Sequence, residues 1–459
     1  MNYIEENKKN QLNNEENKNF LMIPSLLEGF INTNTVKEKD NKGKDCYCLY
    51  GYVELSENDL WCDNCGGKMQ SNLTYTAKYK HLPIGSVYSY ICVNKKQLEC
   101  PHCHFTKTQE IPFKEEKHFI TKPLKTYAED LLATNNFTNK EVAYLTGLNR
   151  NVVKEIDKER LIKQYTIDGE GKKLIKPEVQ ARFLGIDEFK LHDGYQYATH
   201  IIDYETGHIL WIAKGKKKQV VYDFINHVGP KWMSKVEAVA CDMNSDFEEA
   251  FEEKCPHIKI VYDYFHIVKN FNEKVVSEVR KDEQKRLEDE GNKEAARKLK
   301  RARFILTSNE ETLKRKDEEA PEEKTIKKGS ELFNLNETKR KGGNQKRYEE
   351  LVNQNELFIL IALIKELLIE AFSTGNEEEM AKLIFDIMEL CEESGNKHFH
   401  WFKKLLYNHF NGIISHATYK LSSGKIEGIN NKIKTLRRQA YGYPDDEYFF
   451  LKLFDMSRN

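Results

Sequence analysis

The sequence predicts a multidomain α+β protein. A cysteine-rich ribbon and a compact helical module precede an α/β core that a mostly helical insertion interrupts. Three observations predict it. Seven of the ten cysteines lie between Cys46 and Cys103. Strand-like apolar runs alternate with short helical patterns from Ala181 to Asn270. Residues 275–410 then read almost wholly helical, ahead of a basic helix near the C-terminus. At 459 residues the chain has room for about three domains of roughly 150 residues each.

Composition narrows the function classes. Apolar residues make up 39% and charged residues 32%, enough for a core beneath a heavily solvated surface. The net charge of −1 excludes a uniformly basic coat, so any nucleic-acid site must be a local patch. Residues 1–20 are polar and Asn-rich, which predicts a disordered tail and no secretory signal. The run "ELFILIALIKELLIEAF" is broken by Lys365 and Glu366 and falls short of the roughly 18 uninterrupted apolar residues of a membrane span. The expectation is a soluble, cytoplasmic chain with no membrane partner.

Residues 21–121 form the first expected domain, a zinc ribbon. "CDNCGG" and "CPHC" are two C-x-x-C knuckles, Cys62 with Cys65 and Cys100 with Cys103. In a reducing compartment such spacing points to metal rather than disulfides, and a tetrahedral zinc needs two such pairs. A hairpin of "SNLTYTAKY" and "SVYSYICV" fills the long loop between the knuckles. Cys46, Cys48, His102 and His104 are competing ligands. Alternation in "DCYCLYGYVEL" instead assigns Cys46 and Cys48 to one face of a strand.

Residues 122–165 read as a helix-turn-helix. Thr138 and Glu141 make a T-x-x-E capping box that opens a helix with Val142, Ala143 and Leu145 as its apolar face. Gly147 breaks that helix, and Asn149 caps a second, which turns Val152, Val153 and Ile156 inward. Asn149, Arg150, Asn151 and Lys154 are left facing outward, where they suit base edges and phosphates.

Residues 180–270 form the first part of the core. "ARFLGIDEFK" is an apolar strand ending in Asp187, and "SKVEAVACDMN" is another ending in Asp242. Asp is disfavoured inside strands, so both positions need a reason. Ser245 to Glu248 then reads as a capping box. The order strand–strand–strand–helix–strand–helix–strand is that of an RNase H-like core, which sets the end of the first strand beside the fourth and brings the two aspartates together. "VYDYFHIVKNF" adds Asp263 and His266, which could bond each other or support the site from behind.

A helical insertion is expected over 271–415, with a charged stretch at 308–348 of open role. The core resumes at 416–455 with "SSGKIEGINNKIKTLRRQAYGY". Ile426, Ile429, Ile433, Leu436 and Ala440 share a stripe that packs on the sheet. Glu427 shares the neighbouring face with Asn431, Lys434 and Arg438. Asp187, Asp242 and Glu427 would then hold two Mg²⁺ (or Mn²⁺) ions for in-line phosphoryl displacement. Asn431, Lys432, Lys434, Arg437 and Arg438 would lie along a phosphate backbone.

Taken together, the knuckles, the helical pair, "GIDEFK", "ACDMN", "DYFHIVK" and the C-terminal motif resemble the DDE transposases of the ISL-three insertion-sequence family, from about residue 40 to 455. The resemblance implies an RNase H-like fold with the catalytic triad at Asp187, Asp242 and Glu427. It implies double-stranded DNA as partner, both element ends and target, cut and joined by at least a dimer. Asp263 and His266 match the D-x-x-H pair of transposases with such insertions. The rivals are an RNase H-like nuclease that only hydrolyses and a domesticated zinc and helix-turn-helix regulator.

Overall fold

Apolar alternation along ten short runs builds two five-stranded sheets, one in each of two compact units. The computed structural model describes residues 27–458 except 42, 168, 170–172, 195, 320–323, 327–337, 341–342 and 440–442. The tail expected at 1–20 lies outside the described residues.

The first unit takes the described residues up to Ile175 and from Thr435 onward. Its sheet has the order β1 (Phe30–Lys39), β2 (Asp45–Val53), β4 (Val87–Glu99), β3 (Gln70–Ile84), with β5 (Thr106–Thr108) beside β4. Only the β2–β4 pairing is parallel. Cys46 and Cys48 lie on one buried face of β2, where alternation put them. The opposite face packs Tyr79, Ile91, Val93 and Phe113 into a core.

Helices Lys122–Ala133, Asn139–Thr146 and Arg150–Tyr165 follow. The capping box forms, with Glu141 accepting from the Thr138 N–H at 2.7 Å and Thr138 Oγ accepting from the Glu141 N–H at 3.3 Å. Leu145 does not join the buried face and is 37% exposed. Thr146, one turn from Val142, is buried in its place and bonds the Val142 carbonyl at 2.6 Å. Gly147 sits at φ +71°, and a Cβ there would come within 2.9 Å of the Tyr88 ring, so both the turn and the close approach require glycine. The helix Asp446–Met456 closes the unit on Arg150–Tyr165. Arg160 joins Asp157 at 2.9 Å and Asp455 at 2.8 Å, and Tyr448 donates to Asp157 at 2.6 Å.

The second unit, Lys176–Lys434, carries a mixed sheet of order β10 (Lys259–Val261), β9 (Ala238–Cys241), β6 (Phe183–His192), β7 (Gln196–Asp203), β8 (Ile209–Lys214). β6, β7 and β8 run antiparallel, while β9 and β10 lie parallel to β6. All four residues of β9 are buried, as expected of a strand covered on both faces. The helix after it, Ser245–Lys254, is capped one residue earlier than the S-x-x-E pattern predicts. Asn244 keeps the extended conformation and accepts from the Asp246 N–H at 3.1 Å, while Glu248 turns away to His409 at 3.2 Å.

Helices from Tyr264–Phe271 to Phe410–Tyr419 fill the stretch expected as an insertion and share a continuous core with the sheet. In the charged stretch the described residues include helix Glu310–Glu319 and a short ladder, Lys324–Ile326 with Thr338–Arg340. Among the described residues no helix is long and apolar enough to cross a membrane.

The chain returns in helix Gly424–Gln439, which buries Ile426, Ile429 and Ile433. Leu436 is half-buried, and Ala440 lies outside the described residues. A Cβ at Gly185 of β6 would meet Ile202 at 2.9 Å and Ile426 at 3.0 Å. The bare glycine backbone is what lets this helix lie against the strand.

Candidate active site and metal centre

The parallel register of β6 and β9 ends with Ile186 opposite Cys241, so Asp187 and Asp242 are the next residue on each strand. β6 itself does not stop at Asp187. It runs on to His192, held there by β7 alone. Asp187 is therefore at the end of the parallel pairing rather than at the end of the strand. Both aspartates line a cavity of about 510 Å³ with Asp263, His266, Glu427 and Asn430.

Each aspartate is oriented twice. Asp187 Oδ1 accepts from the Glu188 N–H at 2.7 Å, and Oδ2 accepts from Asn430 Nδ2 at 2.6 Å. Asp242 Oδ1 accepts from the Met243 N–H at 2.7 Å and lies 3.1 Å from His266 Nδ1. Burial raises the Asp187 pKa above the usual carboxylate value, and the charge of Asp242 adds to this against the two hydrogen bonds. Burial pushes Asp242 the same way, but the hydrogen bond and charge of His266 outweigh it and hold the carboxyl below its ordinary value. For His266 burial works downward, and Asp242 more than offsets it, so the imidazole titrates above its usual value. Their surroundings thus move the two acids in opposite directions from the ordinary carboxylate value.

Asp263 and His266 act on different partners. Asp263 stands at the N-cap position of helix Tyr264–Phe271 but makes no cap bond to it. Its Oδ2 instead accepts from the Ser423 N–H at 3.0 Å and from Ser423 Oγ at 2.6 Å, immediately before the helix that carries Glu427. Ser423 O in turn accepts from the Glu427 N–H at 2.8 Å. Glu427 itself is exposed toward the cavity.

Asn430 was not singled out by sequence. Its only signal is the i, i+3 spacing from Glu427, which shares a helix face. The i+4 candidate, Asn431, lines the cavity with Lys434. Lys432 is exposed and does not line it, and Arg437 and Arg438 lie on the helix's last turn. Glu188 is a further lining acid that sequence reasoning passed over, and burial raises its pKa.

In the other unit Asn149 caps its helix by accepting from the Asn151 N–H at 2.9 Å, and Arg150 and Asn151 are exposed. Lys154 is not left to solvent. It pairs with Asp445 at 3.1 Å over the Tyr448 ring, because the C-terminal helix packs alongside.

Cys62, Cys65, Cys100 and Cys103 converge, with all four sulfurs within 4.8 Å of one another. Cys62 and Cys103 are 3.6 Å apart, and Cys65 and Cys100 are 3.5 Å apart. A tetrahedron with Zn–S bonds of about 2.3 Å has edges of about 3.8 Å, so the sulfurs already stand near zinc spacing. Burial would raise the Cys100 thiol, but the N–H groups of Cys103 and His102 hold it below its ordinary value. His104 bonds Glu99 at 3.0 Å instead of joining the cluster.

The fold and cavity thus belong to a chain with acids gathered from two strands and a helix. Residues 184–453, which include the whole lining of that cavity, match the family model described as a transposase. The chain belongs to this family, the ISL-three transposases. It is 26% identical over 403 residues to the transposase for insertion sequence element IS1001 of Bordetella parapertussis, covering 88% of this chain and 90% of that one. It is 25% identical over 280 residues to the transposase for insertion sequence element IS1557 of Mycobacterium tuberculosis, covering 57% of each.

Proposed function

We propose that this chain binds the terminal inverted repeats of its own insertion sequence, cuts a DNA strand there and joins the freed 3′-OH to target DNA. The observation that carries the reading is the single cavity lined by Asp187, Asp242 and Glu427, with Asn430 and His266 orienting the two aspartates. The order of strands and helices around it supports an RNase H-like core.

Hard carboxylate oxygens suit Mg²⁺ or Mn²⁺, so Asp187, Asp242 and Glu427 are the residues that would hold divalent cations. Such cations supply Lewis-acid stabilisation of the displacement and acidify an attacking water. The protein's part is placement. Asn430 and the Glu188 N–H fix the plane of Asp187, His266 and the Met243 N–H fix Asp242, and Asp263 fixes the start of the Glu427 helix. Lys434 at the cavity and Lys432, Arg437 and Arg438 along its helix would hold phosphates, with Asn431 beside them.

Zinc on Cys62, Cys65, Cys100 and Cys103 would make the N-terminal module a zinc ribbon. With the helical pair read as a helix-turn-helix, it would recognise the element ends through Asn149, Arg150 and Asn151, with Lys154 released from Asp445. Paired ends imply at least a homodimer on DNA, and the work belongs in the cytoplasm at the nucleoid. The proposed limits stay at 21–121, 122–165, 180–270, 271–415 and 416–455.

The test is a labelled duplex carrying the element's own end, incubated with Mg²⁺ or Mn²⁺ and either wild type or Glu427→Gln. Boundary cleavage and joined product, both lost in the variant, are expected. Cleavage without joining would leave a nuclease. Equal binding by both proteins with no cleavage would leave a DNA-binding regulator.

A further inference from the structure

Between Lys293 and Arg303 the insertion carries six cations, Lys293, Arg297, Lys298, Lys300, Arg301 and Arg303, and one acid, Glu294. In a chain of net charge −1 this is a pronounced local excess. All six are exposed, while Ala296, Leu299, Ala302 and Ile305 are buried and anchor the segment. Among the described residues Glu294 pairs with Lys298, at 3.1 Å, and with no other cation. Among the described residues no carboxylate pairs with Arg297, Lys300, Arg301 or Arg303. None of the six lines the Asp187 cavity.

Helix-dipole compensation explains part of this at most. Cations are favoured in the last turn of helix Lys293–Lys300, which accounts for Arg297, Lys298 and Lys300. It also covers Arg301 at the C-cap, but not Lys293 or Arg303, each the first residue of a helix, the end where a cation is disfavoured. Beneath the strip lies a further cation with no ion pair among the described residues, Glu278 offsetting part of its charge from a distance. Arg280 is 8% exposed and donates to Gln284 Oε1 at 3.3 Å and to the Leu299 carbonyl at 3.4 Å, while its Nε has no partner among the described residues. Burial lowers its pKa, and Arg303 lowers it further. Lys316 extends the strip by lying over the exposed Phe304 ring, 4.4 Å from its centroid. The acids Glu288, Asp289 and Glu290 stay at the preceding turn, with Glu290 held by Arg286. Unneutralised positive charge stacked on a buried arginine is a cost that a polyanion lying across it would relieve.

We infer that the strip Arg297–Arg303 is a second contact surface for duplex DNA, made by the insertion and separate in its residues from the acidic cavity. The identity of the polyanion rests on the transposase reading. The four unpaired cations run from the last turn of helix Lys293–Lys300 through Arg301 to the start of helix Arg303–Thr307, enough for about two phosphate contacts on one strand. Each phosphate contact contributes about 0.9 to the slope of log affinity against log salt.

The experiment is fluorescence anisotropy of the full chain on a labelled duplex of unrelated sequence over a salt series. Four proteins are compared: wild type, the strip variant (Arg297→Gln, Lys300→Gln, Arg301→Gln, Arg303→Gln), the pair Arg297→Gln with Arg301→Gln, and a control with the strip variant's charge (Lys231→Gln, Lys259→Gln, Lys382→Gln, Lys404→Gln) at other exposed positions. Melting temperatures confirm that all are folded. The strip variant is expected to lose about 2 from the slope, roughly 40-fold in affinity at about 0.15 M salt, while the control keeps the wild-type slope. The pair Arg297→Gln with Arg301→Gln should show about half of this. An unchanged slope in the strip variant, or equal losses in strip and control variants, overturns the inference and leaves the transposase reading standing. No duplex binding by wild type at any salt overturns that reading, and the inference with it.

Discussion

Removing the Asp263 carboxylate should uncouple Glu427 from the rest of the cavity. One oxygen of Asp263 accepts both the N–H and the hydroxyl of Ser423, at 3.0 and 2.6 Å, and Ser423 is 8% exposed. A charge-assisted hydrogen bond contributes about 1.5–3 kcal/mol, roughly twice a neutral one. Asp263→Asn keeps an acceptor for both donors, so it should lose about half, near 1.5 kcal/mol. Asp263→Ala strands two buried donors; because Asp263 is only half-buried and water can partly replace it, the loss should stay near 3 kcal/mol. At about 1.4 kcal/mol per tenfold, cleavage at the element end should fall about tenfold in the first variant and about hundredfold in the second. Hydrogen exchange at the amides of Ser423 to Glu427 should accelerate in the same order, with the melting temperature falling by several degrees in Asp263→Ala. Ser423→Ala removes only the 2.6 Å bond, and its cycle with Asp263→Ala should show coupling of at least about 1 kcal/mol. Cleavage by Asp263→Ala within threefold of wild type, or unchanged amide protection at the helix start, would refute the reasoning.

Three further outcomes are expected. Asn430→Ala should weaken Mn²⁺ binding about tenfold by isothermal titration without changing the melting temperature, since loss of an orienting partner typically costs 10- to 100-fold; equal affinity would leave Asn430 a packing residue. Chelation, or Cys100→Ser, should unfold the four-cysteine module, because structural zinc contributes on the order of 10 kcal/mol to such folds, and proteolysis within 46–108 reports it. The Asp242–His266 pair sets a pH dependence in metal-free protein. Asp242 is depressed, so its contribution is present above the ordinary carboxylate value and lost as pH falls through its lowered pKa. His266 is raised, so its contribution is complete below the ordinary imidazole value and lost as pH rises through its raised pKa. The pair therefore stabilises most between about pH 4 and 6.5. The Asp242 side chain is 48% exposed, which limits the effect to no more than about 1 kcal/mol. Urea melts at several pH values should show this decline above neutrality, and His266→Gln should abolish it.

Much of the candidate site was legible because local chemistry marks it. Asp in apolar strands marked Asp187 and Asp242, and the C-x-x-C spacing marked four cysteines whose sulfurs the structure gathers. An acid at the head of a basic helix marked Glu427. Errors arose where a local pattern had two neighbouring solutions. Asn244 rather than Ser245 caps its helix, and Thr146 rather than Leu145 takes the buried position, each a shift of one residue. Lys154 read as free because its partner, Asp445, arrives on a helix from the far end of the chain.

Periodicity and residue type, which act within a few residues, pointed to most of the elements, their order and the acids that the cavity gathers. Tertiary structure alone decided the support around those acids. Asn430 reaches Asp187 across 243 positions, and Ser423 reaches Asp263 across 160. Asn430 and Asn431 are equivalent in sequence and differ by about 100° around the helix axis. What selects between them is the seating of Ile426 against the bare backbone of Gly185, which fixes the rotation of the helix. That contact depends on shape at a distance, and no local pattern encodes it.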